Sequence, residues 1–322
     1  MRRFLLTIIA IFLIIEILLF PQEAMSHAAT GLTLWLQNMI PALFPFMVIS
    51  GLIIRLDLVP GIIKVFHPVL NKIFRTSEYC EYAMVMGFLC GYPMGAVIIK
   101  DLLEDNKISR NEADYLLSFC NNIGPVFYCS LVLPIFDAGY HSMLLLGMYG
   151  IPLLYGLFLR YTFYRKAFIR TQENLQATHI VNITFSQAFT ASLNQAVSSI
   201  LLLGACMIFF NMLMFLPLHF LNDNLLLSSI LSWLLEVNGA LFRTKELYET
   251  GLHMTSLLLI PFLSIGGLSC FCQTASILSN SNCSLFKYNL HKIIQWILWL
   301  SLTLLWLLID ILPTLYVLFA GA

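Results

Sequence analysis

Leu89-Cys90-Gly91-Tyr92-Pro93-Met94-Gly95-Ala96 (residues 89–96) interrupts an otherwise apolar run, Glu78–Leu103. Three more apolar runs are broken in the same way. Asn121-Asn122-Ile123-Gly124-Pro125 splits Glu112–Phe136. Leu235-Glu236-Val237-Asn238-Gly239 splits Leu225–Leu241. Ser264-Ile265-Gly266-Gly267-Leu268-Ser269 splits Met254–Leu278. Two breaks fall in each half of the chain, in the same order. Non-helical backbone at membrane depth is tolerated only where protein or a water-filled cavity satisfies its N–H and C=O groups. Paired breaks in two halves point to a transporter's midplane binding site. The pattern implies a small secondary-type transporter.

Composition supports a membrane class. Hydrophobic residues make up 59% of the 322 residues and charged residues 11%, with a mean hydropathy of +0.85, outside the soluble globular range. A formal net charge of zero gives no electrostatic footprint for nucleic acid. The eight cysteines lie mostly in apolar runs, form no Cys-x-x-Cys, and read as buried thiols. The histidines show no metal-type pairing, so neither a metal nor a cofactor is expected. The sequons at Asn182 and Asn282 fall on the expected inner face and carry no reading. No nucleophile elbow, His-Glu-x-x-His helix or Walker loop occurs, so no catalysis is expected, and transport has to run on a solute or ion gradient.

The fold expectation is one all-α polytopic domain over 1–322, with about seven crossings and two re-entrant helical hairpins. Phe4–Phe20 follows Arg2-Arg3 and reads as a retained extra helix (4–20). A signal peptide ending near Ser26-His27-Ala28 is the alternative. Further spans are Pro41–Leu56, Glu112–Phe136, His141–Phe163, Ala191–Leu216, Met254–Leu278 and Ile293–Phe319, with a polar linker at Arg165–Asn182. Ala29–Gln37, Gly61–Phe74 and Gln187–Gln195 look amphipathic and are expected at the membrane interface. If Glu78–Leu103 and Leu225–Leu241 are hairpins that return to the side they entered, every Lys and Arg except Arg243 and Lys245 falls inside, Lys287 and Lys292 included. If the first hairpin crossed instead, its flanking basic groups would be split across the bilayer, against the positive-inside rule. The hairpin topology gives three crossings per unit. The second unit (187–320) is then inverted relative to the first (36–163), with two unwound helices between them and the N-terminus cytoplasmic, the C-terminus outside.

The breaks also supply the candidate site. Gly91 permits a tight turn, and Pro93 suits the first turn of a new helix. Gly124 and Pro125 repeat that logic. Two half-helix N-termini meeting at mid-membrane make an anion-friendly pocket; a simple proline kink is the bland alternative. Glu236 is the sharpest residue, because a carboxylate at the bilayer centre costs on the order of 2.5–3.5 kcal/mol on insertion scales. It is a candidate coupling or gating group for a proton or sodium ion, or else the tip of a shallow hairpin. Asn121, Asn122, Asn238, Ser269 and Gln273 either ligate the solute or satisfy freed carbonyls. Tyr92 either stacks on an aromatic ligand or marks a packing boundary, and Gly95 lies beside it. Asp310 is expected to cap or snorkel at the interface, and Glu16 could face the bundle.

At these positions the chain resembles the YlbJ-type sporulation integral membrane proteins, within the wider nucleoside-recognition or Gate-domain group. The resemblance rests on Pro41-Ala42-Leu43-Phe44-Pro45-Phe46, Gly91-Tyr92-Pro93-Met94-Gly95-Ala96, Asn121-Asn122-Ile123-Gly124-Pro125-Val126-Phe127, Leu235-Glu236, and Gly266-Gly267-Leu268-Ser269 with Gln273. It spans roughly residues 36–300. The chain departs from the family's pattern at Cys90, where a serine is expected, and in its short Glu-Val-Asn-Gly tip. The resemblance implies a fold distantly like concentrative nucleoside transporters and a role in endospore formation, moving dipicolinic acid across the membrane around the forespore. The expected solute is therefore a small anionic aromatic metabolite. A nucleoside or other neutral-solute carrier, and a non-transporting sporulation scaffold, are the alternatives.

Overall fold

The computed structural model describes residues 2–165, 168, 183–221, 223–279, 281 and 283–320. Most of the linker 165–182, Lys166, Arg170 and both sequon asparagines lie outside the described residues. Those described form an all-helical protein, and five helices are long and apolar enough to cross a membrane: Pro21–Arg55, Ala138–Tyr161, Phe185–Phe220, His253–Ile277 and Leu285–Asp310. The chain is an integral membrane protein.

We number the helices in chain order: α1 (Arg2–Leu19), α2 (Pro21–Arg55), α3 (Val59–Ile63), α4 (His67–Phe74), α5 (Glu78–Cys90), α6 (Met94–Glu104), α7 (Arg110–Leu117), α8 (Pro125–Ile135), α9 (Ala138–Tyr161), α10 (Phe185–Phe220), α11 (Leu225–Leu235), α12 (Val237–Glu249), α13 (His253–Ile277) and α14 (Leu285–Ala320). Helix starts follow local chemistry. Ser77 caps α5, Ser109 with Glu112 forms a capping box on α7, Thr184 with Gln187 forms one on α10, and Asn224 caps α11. Each cap satisfies N–H groups that a helix's first turn leaves orphaned.

Two segments fold back on themselves. α5 and α6 pack side by side across the Gly91–Pro93 turn, and α11 and α12 do so across Glu236. Their arms have 13, 11, 11 and 13 residues. At 1.5 Å per residue none exceeds about 20 Å, well short of a hydrocarbon core of about 30 Å. The second hairpin is longer than its apolar run. Arg243, Lys245, Glu246 and Glu249 belong to α12 rather than to an outer loop, and Arg243 pairs with Glu246 at 2.6 Å.

Long helix, hairpin, broken helix and long helix recur in that order in each half. Each hairpin tip meets the break of its own half, backbone to backbone. Gly91 lies against Gly124, and a Cβ on Gly95 would sit 2.6 Å from the Cys120 carbonyl oxygen. In the second half a Cβ on Gly267 would sit 2.8 Å from the Trp233 carbonyl oxygen. Gly266 and Gly267 also hold φ values of +77° and +69°, a region costly to residues with a Cβ. The apolar side chains divide into two cores. One surrounds α5 and α6 and takes in Ile200 and Leu203 of α10 with Ile277 of α13. The other surrounds α11 and α12 and takes in Tyr128 and Val132 of α8 with Trp299 of α14. Each hairpin thus shares a core with elements of the opposite half, and the breaks lie where the cores meet.

Two expected interface helices are corrected. Ala29–Gln37 lies within α2, and Gln187–Gln195 within α10, and part of each is covered by a neighbouring helix. Trp35 Nε1 donates to the Ile200 carbonyl at 2.9 Å and its ring lies against Gly204. Arg55 donates to Ser192 at 3.3 Å and to Gln195, and Gln195 donates to Asp101 of α6. Pro41–Leu56 and Ala191–Leu216 are accordingly the later parts of longer helices. Asp310 is exposed, and Glu16 is buried on an otherwise mostly exposed α1.

Gly267→Ala is expected to destabilise the protein by on the order of 2 kcal/mol, combining the positive-φ penalty with the Trp233 contact. Gly139→Ala, where nothing lies within 4 Å of the new Cβ, leaves the detergent unfolding midpoint unchanged. Equal midpoints for the two variants contradict this packing.

Candidate functional site

The break in the first half is held by side chains from three other elements. Asn121 is fully buried. Its Oδ1 accepts from the Ala96 N–H at 3.3 Å, capping α6 from outside. Its Nδ2 donates to Thr274 Oγ1 of α13 at 3.3 Å and to Tyr288 OH of α14 at 3.1 Å. The hydroxyls of Tyr92 and Thr274 are hydrogen-bonded at 2.5 Å. Lys292 Nζ donates to the Asn121 carbonyl at 2.5 Å and to Asn122 Oδ1 at 2.8 Å, while Asn122 Nδ2 donates to the Phe119 carbonyl at 2.6 Å. Tyr92, Asn121 and Asn122 are thus gathered with Thr274, Tyr288 and Lys292 into one network linking hairpin, break and both late helices of the second half. Pro93 and Gly95 set the close approach of the tip, and Gly124 completes it.

The break in the second hairpin is capped from within. Glu236 is 2% exposed. Its Oε2 accepts from the Gly239 N–H at 3.0 Å and its Oε1 from Asn238 Nδ2 at 2.8 Å. It is the N-cap of α12, a role that uses a carboxylate's acceptors and its favourable charge at a helix N-terminus. Ser269 and Gln273 are buried and pair with each other, Gln273 Nε2 donating to Ser269 Oγ at 3.1 Å. No direct hydrogen bond joins Glu236, Asn238, Ser269 or Gln273 to the Asn121 network among the described residues.

Two differences from the sequence reading change the chemistry. The helix N-termini at the breaks are already occupied, α6 by Asn121 and α12 by Glu236. After Pro125 only three residues are α-helical, Pro125–Phe127, before the helix widens to a π-turn at Tyr128–Val132. Of the two N-termini expected to face an anion, at Pro93 and at Pro125, the first is therefore already taken by Asn121. The second difference is Lys292. Counted among the inner surface charges, it is 3% exposed and turns into the protein. Thr274, Tyr288 and Gln295, whose Nε2 donates to the Ser118 carbonyl at 2.5 Å, were likewise not singled out. Tyr288, Lys292 and Gln295 sit at i, i+4 and i+7 along α14, so one helix face carries all three, a periodicity readable in the chain.

Part of the chain is similar to a known sporulation membrane protein. Over 117 residues it is 33% identical to the sporulation integral membrane protein YlbJ of Bacillus subtilis (strain 168), a stretch covering 36% of this chain and 29% of that protein. No family model and no solved structure matches the chain.

Tyr92→Phe is expected to cost about 1 kcal/mol, the net worth of one buried hydrogen bond, and Thr274→Val about twice that, because Thr274 Oγ1 also accepts from Asn121. Because they remove the same bond, the double variant is expected to cost less than the sum of the two. Strict additivity of the unfolding free energies contradicts the Tyr92–Thr274 bridge.

Proposed function

We propose that the chain is a secondary-type transporter of the YlbJ-like kind, carrying a small anionic aromatic metabolite through a midplane site and catalysing no reaction. The observation that carries this reading is the pair of short hairpins whose tips meet unwound backbone. Arms of 11 and 13 residues cannot cross a bilayer, so each hairpin enters and leaves on one side. A broken helix opposite each tip gives the polar groups that a solute needs and lipid would forbid. With α1 and the broken α7–α8 segment crossing alongside the five long helices, the topology is seven crossings and two re-entrant hairpins. The units are inverted, the N-terminus is cytoplasmic and the C-terminus outside.

The site comprises Tyr92, Pro93, Gly95, Asn121, Asn122 and Gly124 on one side and Asn238, Ser269 and Gln273 on the other. The similarity to a sporulation protein supports a role in spore formation, with dipicolinic acid as the solute to test first. Glu236 couples or gates. Protonation, or capture by a sodium ion, draws on the acceptors that hold Gly239 and Asn238, and so loosens the first turn of α12. Opening of the second hairpin is thereby tied to the ion. A sporulation scaffold is the second reading, favoured by the way Ser269 and Gln273 satisfy each other.

Glu236→Gln is expected to abolish uptake of labelled dipicolinate into vesicles bearing a pH or sodium gradient, at unchanged membrane abundance. Full uptake by that variant contradicts the coupling role. No uptake of dipicolinate or uridine by the wild type favours the scaffold.

A further inference from the structure

The buried ammonium of Lys292 is not explained by the network that holds it. Lys287, five residues earlier on α14, is half exposed and pairs with the buried Asp114 at 2.9 Å. Lys292 lies about 7.5 Å deeper along the helix. A lysine near a helix end ordinarily snorkels its charge to water. This one directs its head inward, to the Asn121 carbonyl and Asn122 Oδ1. Both partners are neutral, and among the described residues no carboxylate lies within ion-pair distance of Nζ. A buried charge without a counter-charge is costly, and proteins rarely keep one that function does not use.

The bonding is also incomplete. An ammonium has three N–H donors, and two of Lys292's are spent. The head group lies 5.8 Å from the centroid of the Tyr288 ring, whose hydroxyl accepts from Asn121. One turn deeper on the same face, Gln295 Oε1 is buried without a partner. Unspent hydrogen-bonding capacity and a basic nitrogen without a counter-charge therefore occur together, beside the unwound stretch and the first hairpin's tip.

We propose that Lys292 is the specificity-determining residue of the site, its remaining N–H and its charge meeting a carboxylate of the solute. The assignment rests on the transport reading above and deepens it, replacing helix N-termini by a side-chain cation as the anion-recognising group. Its two neutral partners give recognition a route to the backbone. A carboxylate that draws Nζ away from Asn121 and Asn122 unloads the break in the first half, whose Asn121 also caps α6. The Tyr288 ring, 5.8 Å from the ammonium, suits a carboxylate carried on a flat ring.

The test compares ligands matched in shape but not in charge. Wild-type protein, Lys292→Gln and Lys292→Met are purified in nanodiscs, and binding of pyridine-2,6-dicarboxylate and pyridine-2,6-dicarboxamide is measured by thermal shift and by calorimetry, with chloride as a third probe. The wild type is expected to bind the dicarboxylate at least tenfold tighter than the dicarboxamide and to ignore chloride. Both variants are expected to lose that preference, the dicarboxylate weakening at least tenfold and the dicarboxamide little. A wild-type preference retained in either folded variant overturns the role of Lys292 and leaves the transporter reading standing. A folded wild type that binds neither aromatic compound overturns both. Chloride binding as tight as dicarboxylate binding, lost in the variants, overturns the organic carboxylate as the ligand. Lys292→Met exchanges the ammonium for an apolar chain of similar length, so it is expected to fold even if the glutamine variant does not.

Discussion

Four side chains meet the unwound carbonyls of the first break. Where the chain unwinds between Leu117 and Pro125 it leaves N–H and C=O groups in apolar surroundings, and each would be expensive unpaired. Gln295 donates to the Ser118 carbonyl, Asn122 to that of Phe119, Lys292 to that of Asn121 and Tyr149 to that of Ile123. The Asn121 side chain ties the stretch to its neighbours, capping α6 with its oxygen and reaching Thr274 and Tyr288 with its nitrogen. The first hairpin, α13 and α14 are positioned relative to one another through this residue. The glycines around it serve the same end. Gly91, Gly95 and Gly124 remove the side chains that would hold the tip away from the break, so backbone can approach backbone.

The second half solves the same problem differently. Glu236 caps its own helix and Gly267 accepts the Trp233 carbonyl region against its α-carbon, so that break depends on local contacts rather than on side chains from the other half. The halves are tied elsewhere, by the Arg55–Gln195–Asp101 chain from α2 through α10 to α6 and by Tyr248 of α12 donating to Asp137 at 2.7 Å. The first half is thus locked to the second at its break, while the second hairpin's tip is self-contained. That asymmetry fits a carrier in which the solute is read at Lys292 and the ion at Glu236.

The breaks were legible in the sequence because glycine and proline have fixed backbone consequences whatever surrounds them. Gly91, Pro93, Gly124, Pro125, Gly266 and Gly267 mark three of the four interruptions and Gly239 the fourth, and the structure unwinds or turns at each. Glu236 was legible as an isolated acid in an apolar run, but its capping role was not, since that depends on where the helix restarts. The interface helices were misread for a related reason. Ser192 and Gln195 look solvent-facing along their own strip of sequence, yet they meet Arg55 of α2 and, through Gln195, Asp101 of α6. Lys292 was hidden because counting basic residues by side assigns each one to water. Only the acceptors on Asn121 and Asn122, some 170 residues away in sequence, show that it faces inward.

The central claim is that both ends of each hairpin lie on one side of the membrane. It is tested most directly by single cysteines, in a background with the native cysteines replaced, at the exposed Asn71 and Asn106 on either side of the first hairpin and at the exposed Asn224 and Gly251 flanking the second. These are labelled in intact cells with a membrane-impermeant maleimide. Labelling at 224 and 251 only, with 71 and 106 reacting after the membrane is opened, is the expected result. Opposite reactivity of 71 and 106, or of 224 and 251, would make that hairpin a membrane crossing and contradict the account.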